Sequence, residues 1–144
     1  MQLALRQATE VDRELFWQLL VQSMRPYVEA TWGWHDADQR ERFAAAFDPA
    51  ACQVIELDGA AVGGLRVDYD TTPVRLLTIQ IFPQFQCRGL GSAIITGILQ
   101  QVAGRPVWLQ VLKVNPAKAL YERLGFRVTH ETETHWHLMR PGGR

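Results

Sequence analysis

Residues 79–92 run Ile79-Gln80-Ile81-Phe82-Pro83-Gln84-Phe85-Gln86-Cys87-Arg88-Gly89-Leu90-Gly91-Ser92. A strand-like run ends at a proline, and a glycine-containing turn then opens an apolar helix. Ile94, Ile95, Ile98, Leu99 and Val102 recur at helical spacing, which predicts a helix over 91–103 with Gly104 just past its end. Such a junction presents successive backbone N–H groups that no helical carbonyl reaches, and the helix start adds partial positive charge. Together they make a seat for a phosphate or pyrophosphate. Gly89 and Gly91 suit it, because a side chain there would hold phosphate oxygens away from the backbone. The dinucleotide pattern Gly-x-Gly-x-x-Gly is absent, and so is the Gly-Lys-Ser/Thr of a P-loop.

Upstream of the turn the pattern is strand-like. Residues 53–57 and 61–69 flank Asp58-Gly59, a hairpin signal, and 75–82 predicts a further strand after Thr72-Pro73. Earlier still, 3–6 predicts a short opening strand. Thr9 and Asp12 form a variant capping box for a helix carrying Leu15, Phe16, Leu19 and Leu20. That helix is expected to stop near Met24, ahead of Pro26, with 27–34 aromatic and irregular. A second helix is expected over 38–47, closed by Asp48-Pro49. Downstream, 107–112 predicts a buried strand, and 126–132 with 134–139 an antiparallel closing pair. The order predicts one mixed α/β domain over 1–144, a central sheet flanked by helices.

A second informative run lies 24 residues after Gly91: Asn115-Pro116-Ala117-Lys118-Ala119-Leu120-Tyr121-Glu122-Arg123-Leu124-Gly125-Phe126. Asn115 is expected to cap a short helix, with Pro116 at its first position and Gly125 beyond its end. The two runs together resemble the GNAT N-acetyltransferase superfamily. Gln86, Gly89 and Gly91 fall on its Gln/Arg-x-x-Gly-x-Gly/Ala signature. Asn115, Ala119, Tyr121, Gly125 and Phe126 resemble its Asn-x-x-Ala-x-x-Leu-Tyr-x-x-x-Gly-Phe hallmark: Leu120, Tyr121, Gly125 and Phe126 keep its spacing, Ala117 stands at its alanine, and Asn115 lies one position closer to the tyrosine. The resemblance is close over about residues 75–128.

The resemblance implies a mostly antiparallel twisted sheet whose splayed strands form a coenzyme A cleft, with acetyl-CoA as co-substrate and an amine as acceptor. It implies that backbone groups around Ile79 and Ile81 meet the pantetheine arm. The pyrophosphate then sits over Gln86, Cys87, Arg88, Gly89, Leu90, Gly91 and Ser92, and Asn115 and Lys118 join the coenzyme A contacts. Tyr121 is the expected general acid for the departing thiolate, with Asn115 beside it. Homodimerisation is a family-level expectation. Relatives often carry a carboxylate on the strand entering the turn, whereas Leu77-Thr78-Ile79-Gln80 has none, so no base is assigned. Glu29, Glu131 and Glu133 are alternatives acting through water.

The acceptor site is expected at the N-terminal helices. Glu29, Trp32 and Trp34 are candidates for an aromatic-walled pocket that attracts a cation, against a bland alternative in which the aromatic residues cover the sheet or a dimer contact. Two further functions stay open: an acyl-CoA sensor without chemistry, and an acyltransferase using an O-acceptor or a longer chain. Equal numbers of basic and acidic residues, 15 of each, argue against nucleic acid as partner. No apolar run approaches the roughly 20 residues of a membrane span. The N-terminus lacks a signal-peptide pattern, and Cys52 and Cys87 have no metal-ligand spacing. Free thiols and a cytoplasmic location are expected, and no metal. His135 and His137, which share a strand face, are too few ligands for one.

Overall fold

Thr9 stands extended ahead of the first helical run, and Asp12 reaches back to accept the Thr9 backbone N–H at 2.9 Å, completing the capping box. The computed structural model describes residues 2–142. Strand β1, Leu3–Gln7, precedes this box, and a 3-10 turn, Glu10–Asp12, leads into helix α1, Arg13–Leu19. The helical path does not stop at Met24. A five-residue π stretch, Leu20–Met24, feeds α2, Arg25–Trp32, and Pro26 falls in the first turn of α2. Residues 27–32 are therefore helical, not irregular. The wider π turn releases the hydrogen-bond register that the proline ring would obstruct, and in a first turn the missing N–H leaves no carbonyl wanting. Ser23, buried there, donates its hydroxyl to the Leu19 carbonyl.

Helix α3 spans Asp36–Ala46, and a 3-10 turn, Pro49–Ala51, follows it. Strands β2, Cys52–Leu57, and β3, Ala60–Asp68, form the expected hairpin, with φ of 52° at Asp58 and 85° at Gly59, as a type I′ turn requires. Strand β4, Val74–Ile81, helix α4, Leu90–Gln101, strand β5, Val107–Leu112, and helix α5, Lys118–Arg123, come next. Strands β6, Arg127–Glu131, and β7, His135–Arg140, close the chain. The sheet order is β1-β2-β3-β4-β5-β7-β6. Pairs β1–β2, β2–β3, β5–β7 and β6–β7 are antiparallel. The parallel β4–β5 ladder covers only Val74↔Val107 and Arg75↔Trp108. This is the mixed α/β, mostly antiparallel sheet that the sequence predicts.

The chain divides into two units: residues up to 66 with 78–86, and 67–77 with residues from 87 on. In the first, Phe16, Leu19, Cys52 and Val54 are buried together with Ala8. Helix α1 approaches β3 closely, for a Cβ at Gly64 would stand 2.5 Å from Phe16 Cε1. Only glycine admits that contact. In the second, Leu90, Ile94, Ile95 and Ile98 of α4 are buried, as are Val107, Leu109 and Leu138. Each such side chain contributes roughly 1.5–3 kcal/mol relative to exposure, which fixes α4 and with it the turn at its start. Cys52 is buried, Cys87 is exposed, and both are free thiols. No helix among the described residues is long and apolar enough to cross a membrane.

Candidate active site

The turn ahead of α4 is built by local interactions. A 3-10 turn, Pro83–Phe85, follows β4, and the Gln86 side-chain amide donates to the Ile81 carbonyl at 2.8 Å, tying the turn back to its strand. Cys87 and Gly89 both take the left-handed conformation, at φ of 63° and 78°, on either side of Arg88. Gly89 then caps α4, and the first helical hydrogen bond runs from the Ala93 N–H to the Gly89 carbonyl at 3.0 Å. The N–H groups of Leu90, Gly91 and Ser92 lie in the first turn, where no helical carbonyl reaches them. A Cβ on Gly91 would meet only Leu120 Cδ2, at an ordinary 3.8 Å, and its φ is not left-handed. Neither packing nor backbone conformation demands glycine there, although glycine costs a helix about 0.5–1 kcal/mol relative to alanine. A bare backbone open to a phosphate is what this arrangement supplies.

The second motif also organises itself locally. Asn115 Oδ1 accepts the Ala117 N–H at 2.9 Å. This bond closes a side-chain turn over 115–117 ahead of the helix, so α5 begins at Lys118 with Ala117 as its N-cap, and the expected cap by Asn115 with Pro116 at the first helical position is not what forms. Tyr121 is buried, with its ring edge-on to Phe126 at 6.2 Å between centroids. Burial pushes its phenol up to about 12, above the ordinary value near 10, so it stays protonated. Lys118 Nζ lies 4.9 Å from the Trp136 ring centroid and 3.4 Å from Glu122.

The carboxylates considered as bases are engaged or exposed. Glu131 is held by Lys113 at 2.7 Å, Glu133 is exposed, and Glu29 lies 3.8 Å from Arg25. Trp32 is 58% exposed on α2. Trp34 packs against Trp17 at 6.1 Å, carries Arg25 on its face, and donates to Asp36. His137 stacks on His130 at 4.1 Å, and no metal-binding group of three or more ligands occurs among the described residues.

The first unit contains a cavity of about 270 Å³ that none of Glu29, Trp32 and Trp34 lines. Phe16, Phe43 and Phe47 form its apolar wall. The Phe43 and Phe47 rings stack at 5.3 Å, and Phe16 lies 5.3 Å from Phe47. Thr78 and Gln80 of β4 reach it, whereas Ile79 and Ile81, alternating with them, face the other side. Arg42 and Arg66 supply its charge, and among the described residues no Asp or Glu lines it. Sequence reasoning missed these arginines. The local signal was Phe43 and Phe47, four apart at the end of α3 and just past it, with Arg42 beside Phe43.

Comparison with known proteins bears directly on this geometry. Residues 14–126 match the model of the acetyltransferase (GNAT) family. No curated protein sequence matches the chain significantly. Among solved structures, a PaiA N-acetyltransferase from Thermoplasma acidophilum in complex with coenzyme A superposes with a TM-score of 0.77 at 12% identity, over 98% of this chain and 99% of that one. An acetyltransferase from Thermus thermophilus gives 0.75 at 23% identity, over 98% and 97%. The ribosomal-protein-S18-alanine N-acetyltransferase of Escherichia coli gives 0.70 at 18%, over 99% and 96%.

Proposed function

The chain belongs to the acetyltransferase (GNAT) family, and from that premise we propose that it transfers the acetyl group of acetyl-CoA directly to an amine. The observation that carries this is the bare first turn of α4: three N–H groups without helical partners, and a glycine at position 91 that the fold does not require. In this proposal the backbone from Cys87 to Ser92 holds the pyrophosphate, with Arg88 adding charge. Ile79 and Ile81 offer backbone groups to the pantetheine arm, while Gln86 serves by fixing the turn. Asn115 and Lys118 complete the coenzyme A contacts. Two relatives of the same fold are N-acetyltransferases, and one was solved with coenzyme A bound.

The amine nitrogen attacks the thioester carbonyl carbon; a C–N bond forms, the C–S bond breaks, and sulfur leaves as thiolate. Tyr121 donates its hydroxyl hydrogen to that sulfur. A phenol held near 12 is a weaker acid than a thiol of ordinary pKa about 8.5, so hydrogen bonding to the developing charge outweighs complete proton transfer. The proton released by the amine goes to water.

A calorimetric titration with acetyl-CoA, with NAD as control, tests the cofactor site: saturable binding of acetyl-CoA alone is expected, and its absence reduces the claim to one of fold. Thiol release with a panel of amines then tests Tyr121→Phe. We expect kcat to fall about 10²-fold with acetyl-CoA affinity within twofold of the parent. Because the phenol titrates at about 12, the parent should show no loss of kcat from Tyr121 ionisation at neutral to mildly alkaline pH. An unaltered kcat in the variant removes Tyr121 from the chemistry.

A further inference from the structure

The cavity of the first unit combines two features that a closed core avoids. Its wall is aromatic, and its cations lack counter-charges. Arg66 makes one long hydrogen bond, to the Ala46 carbonyl at 3.4 Å, and neither Arg66 nor Arg42 has a carboxylate partner among the described residues. The nearby arginines differ. Arg13, 5.1 Å from the Phe47 centroid, is held by Glu10, and Arg40, over Trp17 at 4.5 Å, lies 3.5 Å from Glu14. Asp48 turns its carboxylate to the Ala50 N–H at 3.2 Å. Two guanidiniums beside stacked phenyl rings, in a space too small for a folded partner, match one ligand chemistry.

We propose that this cavity seats the acetyl acceptor, and that the acceptor is a small molecule with an apolar ring-sized body and a carboxylate engaged by Arg42 and Arg66. Its role as an acceptor rests on the acetyl-transfer proposal; the preference for an aromatic carboxylate rests on the cavity alone. The positive field also disfavours an ammonium and so favours the neutral, nucleophilic amine. That effect bears on a β4 segment, Leu77-Thr78-Ile79-Gln80, that carries no carboxylate. A cation, the ligand expected of a pocket built from Glu29, Trp32 and Trp34, is repelled.

The test is calorimetric titration of the full chain with phenylacetate and with phenylacetamide, which share a shape and differ in charge. Phenylacetate is expected to bind about tenfold more tightly. The double variant Arg42→Gln/Arg66→Gln should bring the two to parity while keeping the phenylacetamide affinity. Arg42→Gln alone, at an exposed helix position, should narrow the gap and serves if the double variant melts early. Equal binding in the parent, failure to bind either compound, or a gap that survives both arginine changes overturns the proposal. Acetyl-CoA titrated into the same proteins separates the two claims. Its binding without any phenylacetate preference removes the carboxylate acceptor and leaves the acetyl-transfer proposal standing, whereas phenylacetate preference without acetyl-CoA binding leaves a carboxylate-binding cavity and removes its role as an acceptor site.

Discussion

The cations of the cavity and those around Trp136 are arranged in opposite ways. Lys113 and Lys118 both lie over the Trp136 ring, at 4.8 and 4.9 Å, and each also has a glutamate, Glu131 at 2.7 Å and Glu122 at 3.4 Å. Arg6 is likewise held, by Asp12 at 2.9 Å and Glu56 at 3.0 Å. Among the described residues Arg42 and Arg66 have no carboxylate partner, and they line a cavity walled by apolar rings. Paired surface charges contribute modestly to stability. Arg42 and Arg66 lack that pairing and, on the carboxylate-acceptor proposal, serve a ligand. On that proposal the contrast separates charges that serve the fold from charges available to a ligand.

The largest stability change should come from breaking the most buried pair. Asp12, 7% exposed, accepts from both terminal nitrogens of Arg6 and from the Thr9 N–H, and the Arg6 hydrogen bond holds its carboxyl below the ordinary range. Asp12→Asn should cost about 2 kcal/mol, measured by denaturant unfolding at neutral pH. Because the folded pKa lies below the unfolded one, this contribution is present above the unfolded value, about 3.9, and is lost as pH falls through the folded value. The gap between parent and variant should therefore close in acid, and a gap that persists there would assign the effect to packing.

Gly91→Ala should move stability and affinity in opposite directions. Its Cβ has room, so the fold should gain about 0.5–1 kcal/mol in thermal or chemical unfolding, while acetyl-CoA binding weakens. Joint loss of both would show that glycine serves the fold. The smallest effect belongs to the exposed pairs: Glu131→Gln should change stability by about 0.5 kcal/mol or less. Arg42→Gln should also leave stability within about 0.5 kcal/mol, so the two kinds of charge are told apart by phenylacetate binding and not by unfolding. A marked destabilisation by Arg42→Gln would erase the contrast.

Several elements are legible in sequence because their determinants are contiguous. The capping box at Thr9 and Asp12, the Asp58-Gly59 hairpin and the side-chain turn at Asn115 each involve residues within a few positions of one another. The α1–α2 path is not legible. Pro26 is a local stop signal, and the π turn that accommodates it spans Leu20–Met24 inside a helical run whose apolar spacing looks continuous. Trp34 reads in sequence as a candidate pocket wall, yet its partner is Trp17, at a distance that no local pattern reports.

By itself the sequence determined the turn at 86–92, the motif at 115–126 and the family they share, because backbone conformation and capping there depend on neighbours along the chain. Tertiary structure alone decided the cavity. Phe16, Phe43, Arg66 and Gln80 come from α1, α3, β3 and β4, elements well separated along the chain. Which of their faces meet depends on how α1 and α3 pack on β3 and β4. Strand alternation makes that register decisive: Thr78 and Gln80 reach the cavity only because Ile79 and Ile81 face away. Likewise the proton on Tyr121 is held by burial, a property of the packed fold that the residue's identity does not carry.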